Sequence, residues 1–112
     1  MINLDVHLEI SDHARKRIKE RCGVRNRKAI SRLVRKAFEE GLTHRDVTGK
    51  LCKYVDSLYL KYHRGNQIRL FGDKAYIFDN EILITVLPIP HNLLNLVEIA
   101  KRKKQDTTSS NF

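Results

Sequence analysis

Tryptophan is absent from these 112 residues, methionine occurs once, and proline and cysteine occur twice each. Two cysteines cannot build a disulfide-dense scaffold, and two prolines with five glycines exclude a collagen-like or low-complexity chain. Cys22 and Cys52 have neither C-x-x-C spacing nor an accompanying His pair, so no zinc finger, redox motif or other metal site is expected. Both read as reduced, half-buried thiols. Long apolar runs are missing as well: nothing approaches the roughly 18 residues of a membrane span, and Ile2-Asn3-Leu4-Asp5 after Met1 is no signal segment. The expectation is a soluble, cytoplasmic protein with no membrane partner. No P-loop, Gly-rich dinucleotide turn, H-E-x-x-H or G-x-S-x-G occurs, so no cofactor is expected either.

Negative charge is also scarce. Thirteen Asp and Glu face twenty-two Lys and Arg, for a net charge of +9 and a pI near 9.8. Such a surplus is the electrostatic footprint of a partner rich in phosphates or carboxylates. It is also local. Eleven of the twenty-two basic residues and one acid, Glu20, fall between residues 15 and 36, so this stretch carries +10 by itself. Arg15, Lys16, Lys19, Arg21, Arg27, Lys28, Arg32, Arg35 and Lys36 are therefore the candidate nucleic-acid contacts.

What is present suits a single small domain, expected over residues 1–104 and followed by a mobile polar tail over 105–112. Residues 2–10 alternate apolar and polar with the period of a strand or extended arm. Ser11 and Asp12 then offer a cap and a first-turn carboxylate for a helix to about Cys22, ended by Gly23 and burying Ala14, Ile18 and Cys22. A second amphipathic helix over 27–40 gathers Ala29, Ile30, Leu33, Val34, Ala37 and Phe38 on one face. Residues 50–62 keep helical spacing in Leu51, Val55, Leu58 and Tyr62 but are rich in strand-prone types; a helix to about residue 60 is favoured.

The runs QIRLF, AYIFD and ILITVLPIP, separated by Gly72-Asp73 and Asn80-Glu81, predict a three-strand antiparallel meander. The third run is apolar almost throughout, as a central strand buried on both faces would be. A helix over 92–104 closes the pattern. The fold class is therefore α+β, with N-terminal helices packed on a small antiparallel sheet and a C-terminal helix. Ile18, Leu33, Phe38, Ile77, Ile84 and Val86 are expected in the core.

Within the first helix stands S-x-H-A-x-x-R-x-x-E-R, carried by Ser11, His13, Ala14, Arg17, Glu20 and Arg21, then Cys22-Gly23-Val24. This resembles the opening helix of small bacterial and phage domains of RelE/BrnT type, which read H-A-x-x-R-x-x-E-R-G-[IV]; Cys22 is an extra residue before Gly-Val. The likeness is close over that helix and elsewhere covers only the order of elements. It implies the small α+β sheet of many ribonuclease toxins, RNA ahead of DNA as partner, a metal-independent endoribonuclease activity and an antitoxin partner. His13, Arg17 and Arg21 would then line one side of a basic concavity facing the sheet, although the same helix also suits plain packing, with His13 capping or packing and Arg17 paired to Glu20 at i, i+3.

A second group, Tyr62, His63, Arg64, Arg69, Tyr76 and His91, contains the types that cleave RNA through its own 2′-hydroxyl: a base, an acid and cations for the charged phosphorane. Read as loop and core-edge residues, they need no function. The candidate catalytic set is His13, Arg17, His63 and Arg69, with His13, Arg17 and Arg69 required to face one open side of the sheet. Two further readings stand beside it. One is a non-enzymatic phage or mobile-element protein that grips nucleic acid or an acidic protein surface and so inhibits a nucleic-acid machine of CRISPR-effector type. The other is a basic DNA-binding regulator using residues 23–26 as the turn of a helix-turn-helix and Asn26, Arg27, Lys28 and Ser31 as base readers.

Overall fold

The computed structural model describes residues 8–109. Helix α1 (Asp12–Arg21) starts where Ser11 accepts a hydrogen bond from the Ala14 amide, and α2 (Arg27–Glu40) where Asn26 accepts one from the Ala29 amide. Each cap satisfies one of the amides that a helix start leaves unpaired. A 3-10 turn (His44–Asp46) leads into α3 (Gly49–Lys61), so the ambiguous segment resolves as a helix with Leu51, Val55 and Leu58 inward. The meander follows as β2 (Gln67–Phe71), β3 (Lys74–Asp79) and β4 (Ile82–Pro88). A 3-10 turn at His91–Leu93 then opens α4 (Leu94–Ser109), which runs five residues beyond the expected boundary at 104.

The fold class is α+β, but the sheet is mixed rather than purely antiparallel. Its order is β1-β4-β3-β2, with β1 (Glu9–Ile10) parallel to β4. Two residues are all of the expected 2–10 strand that the described part shows; residues 2–7 lie outside it. Gly72, at φ 62, opens the β2–β3 turn and supplies the conformation a two-residue hairpin requires. On β4, Ile84 is the extra residue of a bulge, because Ile77 pairs with Thr85 and Phe78 with Leu83.

Helices cover both faces of this sheet. On one, Ala14 and Ile18 of α1 and Ile30, Val34 and Ala37 of α2 pack on Tyr76, Phe78, Leu83 and Val86. On the other, α3 and α4 bury Ile68, Leu70, Ala75 and Ile77. The composite site needed an open face on the side of β2 opposite Ile68 and Leu70, where Arg69 points; that face is covered by α1 and α2, with Phe38 of α2 over Arg69, while α3 and α4 close the other. Among the expected core residues Ile18, Ile77 and Val86 are fully buried, whereas Leu33, Phe38 and Ile84 are half-buried at the margins.

Edge strand β2 has its outward backbone groups paired. Leu70 exchanges two hydrogen bonds with Leu42, at 2.8 and 3.0 Å. The Ile68 amide donates to the Tyr59 hydroxyl at 3.3 Å and its carbonyl accepts from Arg69 Nη1 at 3.3 Å. An edge satisfied in this way offers no template for a further strand.

Candidate nucleic-acid interface

Because α1 and α2 turn their apolar stripes onto the sheet, their basic residues are left outside. Lys16, Lys19 and Arg21 on α1, and Arg27, Lys28, Arg32, Arg35 and Lys36 on α2, are all exposed. Most of the +10 stretch thus becomes the outer surface of one helical layer. Some of these charges are tethered. Arg17 pairs with Glu20 at 2.6 Å, and this hydrogen bond holds the Glu20 carboxyl below its usual range. Arg35 lies 3.6 Å from Glu39. Arg21 Nη1 donates to the Val86 carbonyl at 2.6 Å, which fixes the end of α1 on β4 while leaving the cation at the surface. Arg15 is half-buried, and its Nη1 is enclosed without a hydrogen-bond partner.

The four candidate catalytic residues are not brought together. His13 Nε2 sits 3.2 Å from the Thr85 hydroxyl on β4. Arg69 stands on β2, two strands away across β3, or roughly 10 Å at the usual strand spacing. Its guanidinium is occupied: Nε donates to the Phe38 carbonyl at 3.0 Å, Nη2 to Gln67 Oε1 at 2.8 Å, and its carbon lies 4.8 Å over the Phe38 ring. His63 is exposed in the turn after α3, and Arg17 is held by Glu20.

Tyr76 is no nearer to a catalytic role. It is buried in the α1–α2 core with Cys22 Sγ 4.0 Å from its hydroxyl, and burial raises its pKa, so the phenol stays protonated and cannot act as a base. Tyr62 is half-buried against the α3–α4 core, Arg64 reaches Asp79 at 3.3 Å, and His91 is exposed at the head of its 3-10 turn. For the DNA-reading alternative, Asn26 is committed to its helix cap, while Arg27, Lys28 and Ser31 stay exposed at the first turns of α2.

A groove of about 590 Å³ lies between the end of α2, the β2–β3 turn and α4. Its walls combine Leu70, Phe71 and Val97 with Glu and Lys side chains and contain no His, Cys or Tyr.

One cluster escaped the sequence reading. His44 Nε2 lies 2.7 Å from Asp56 Oδ1 and 3.6 Å from Cys52 Sγ, and Cys52 Sγ lies 3.9 Å from Asp56 Oδ2. Cys52 and Asp56 are one turn apart on α3, a C-x-x-x-D spacing legible in the sequence. His44 joins them through the 3-10 turn, eight residues before Cys52. A search framed by C-x-x-C spacing passes over such a set.

No protein-family profile, curated protein or solved structure gives a significant match to this chain. Among the described residues no helix is long and apolar enough to cross a membrane.

Proposed function

We propose that this chain is a nucleic-acid-binding protein that holds phosphates with the outer face of α1 and α2 and does not cleave its ligand. The observation that supports it is the folding of the +10 stretch into two helices on one side of the sheet, apolar residues inward and basic residues outward. Neutralising several phosphates with Lys and Arg yields affinity without any base-specific contact. The resemblance of the first helix to RelE/BrnT-type domains favours RNA over DNA and a cytoplasmic place of work. Cleavage is left out because the groups it needs point to different partners: His13 to Thr85, Arg17 to Glu20, and Arg69 to Phe38 and Gln67.

The deciding measurement is the anisotropy of a labelled single-stranded RNA of roughly 20 nucleotides, titrated with protein between about 50 and 200 mM salt and followed by a denaturing gel of the same mixtures in EDTA. Intact RNA bound with steep salt dependence supports the reading. Discrete cleavage products would restore the toxin-type endoribonuclease. Absence of binding at low salt would transfer the basic face to an acidic protein partner, such as an antitoxin or a nucleic-acid-machine effector.

A further inference from the structure

On the far side of the sheet from the basic helices, we propose that His44, Cys52 and Asp56 form a binding site for a divalent transition-metal ion of the zinc class. The three ligand atoms lie within 4.8 Å of one another. A tetrahedral ion with Zn–S about 2.3 Å and Zn–N about 2.1 Å places S and N about 3.6 Å apart. Cys52 Sγ and His44 Nε2 are separated by 3.6 Å, and Cys52 Sγ and Asp56 Oδ2 by 3.9 Å. The same geometry sets N and O about 3.4 Å and S and O about 3.5 Å apart, so the Asp56 carboxylate, whose Oδ1 meets His44 at 2.7 Å and whose Oδ2 faces Cys52 at 3.9 Å, must turn by several tenths of an ångström to present one oxygen to both.

The arrangement differs from a nucleophilic relay. In a Cys-His-Asp relay the carboxylate orients the imidazole through the ring nitrogen remote from the thiol. Here the thiol and the carboxylate both address Nε2, so that three donors converge on one point. A single ion at that point satisfies all three at once. The donor set also selects the ion: thiolate plus imidazole suits zinc and its neighbours, whereas magnesium and calcium require oxygen ligands.

The ligands are held before any ion arrives. Cys52 and Asp56 share one face of α3 at i, i+4, and Cys52 packs against the α3–α4 core. The turn carrying His44 is fixed by the Leu42–Leu70 bridge on one side and by Asp46 on the other, whose carboxylate accepts from the Thr43 amide at 2.8 Å, the Thr43 hydroxyl at 3.0 Å and Lys104 at 2.9 Å. Tyr59 meets the His44 ring edge-on at 6.2 Å, with its own hydroxyl anchored by the Ile68 amide. Half of the His44 and Asp56 side-chain surface is open, so an ion has access, and three protein ligands leave a fourth position for water. The ion would staple the turn to α3.

The test is a titration of the reduced, chelator-treated full chain with Co2+, which reports a thiolate ligand by a near-ultraviolet charge-transfer band and tetrahedral geometry by its visible spectrum. One equivalent is expected to develop both, Zn2+ should displace it, and Zn2+ at about a hundred times its Kd should raise Tm by roughly 10 °C. Cys52→Ser should abolish the charge-transfer band, and Asp56→Asn, a change at an exposed position that leaves the core alone, should weaken Co2+ binding about a hundredfold or more. A saturated protein without the thiolate band overturns the site, as does a band that survives Cys52→Ser or an affinity unchanged in Asp56→Asn.

Discussion

The guanidinium carbon of Arg69 lies 4.8 Å over the ring of Phe38, while Arg69 Nε donates at 3.0 Å to the carbonyl of that same residue. One side chain thus clamps the last turn of α2 to edge strand β2, and its Nη1 caps the Ile68 carbonyl on the strand's open side. Burial lowers the Arg69 pKa, opposed by Tyr59 and Asp46, and the group stays cationic because guanidinium starts so high. Arg69 is a structural clamp. Arg69→Ala should cost about 2–3 kcal/mol in a urea titration, the sum of hydrogen bonds from a charged donor and a cation–π contact. RNA affinity, measured where the variant remains folded, should not change. A large loss of affinity with stability intact would return Arg69 to the ligand-binding surface.

Phe38 serves the same junction from the other side, meeting Phe78 edge-on with centroids 5.0 Å apart. Because it is half-buried, Phe38→Ala should cost about 2–3 kcal/mol, less than the roughly 3–5 of a fully enclosed ring. Combined with Arg69→Ala, the cycle should show a coupling of about 0.5–1 kcal/mol, the share carried by the ring–guanidinium contact. Additive losses would mean that the stacking contributes nothing.

Local signals were legible in the sequence, and long-range ones were not. Ser11 reads as a cap, and the Ile30/Val34/Ala37 stripe and the turns at Gly72 and Asn80 appear where periodicity and turn chemistry put them. The alternation over residues 2–10 announces the extended segment to which Glu9 and Ile10 belong, but not its parallel pairing, which depends on β4 some seventy residues later. The role of Arg69 was hidden for a related reason. An Arg between Ile68 and Leu70 points away from their face in any strand, but only the strand order shows that β2 is an edge and that Phe38 lies above it. The His44–Cys52–Asp56 cluster combines both cases, with a helical i, i+4 spacing visible in advance and a third member delivered by tertiary structure.

Gly41 caps the end of α2 against β2. Its φ of −64° suits any residue, so space rather than conformation reserves the position for glycine. A Cβ there would run into the Ala37 carbonyl and stand 2.9 Å from Arg69 Cβ. Gly41→Ala should therefore destabilise the fold by about 1–3 kcal/mol, through overpacking that pushes α2 away from the edge strand. Calorimetry checks this, and an unchanged or higher Tm would show that the junction yields freely.

Asp46 ties three segments together by accepting from Thr43 and from Lys104 of α4, whose ammonium also reaches the Gly41 carbonyl at 3.1 Å. Burial opposes ionisation of its carboxyl, but the Thr43 amide and hydroxyl and Lys104 outweigh it and keep the pKa below the usual value. Asp46→Ala should cost about 1–3 kcal/mol, since it strips the capping box and leaves partly buried donors unpaired. Lys104→Met should cost less, because Thr43 still satisfies the carboxylate. Chemical denaturation of both variants and their double mutant separates cap from ion pair, and equal losses in the two single variants would contradict this division.

The basic face makes a prediction about slope as well as strength. Arg32, Arg35 and Lys36 are exposed on α2, whose buried side is Ile30, Val34 and Ala37, so replacing all three by Ala removes charge while leaving the packing face intact. Each phosphate contact on a single strand contributes about −0.7 to the slope of log K against log salt. If all three residues contact phosphates, the triple variant should have a slope smaller in magnitude by about 2, with affinity reduced most at low salt and across unrelated sequences alike. Loss confined to one sequence would instead point to base reading at the start of α2, and an unchanged slope with unchanged affinity would remove α2 from the interface. Reversing one charge with Lys28→Glu should lower affinity further than Lys28→Ala, because repulsion is added to the lost attraction, and the gap between the two should close as salt shortens the screening length.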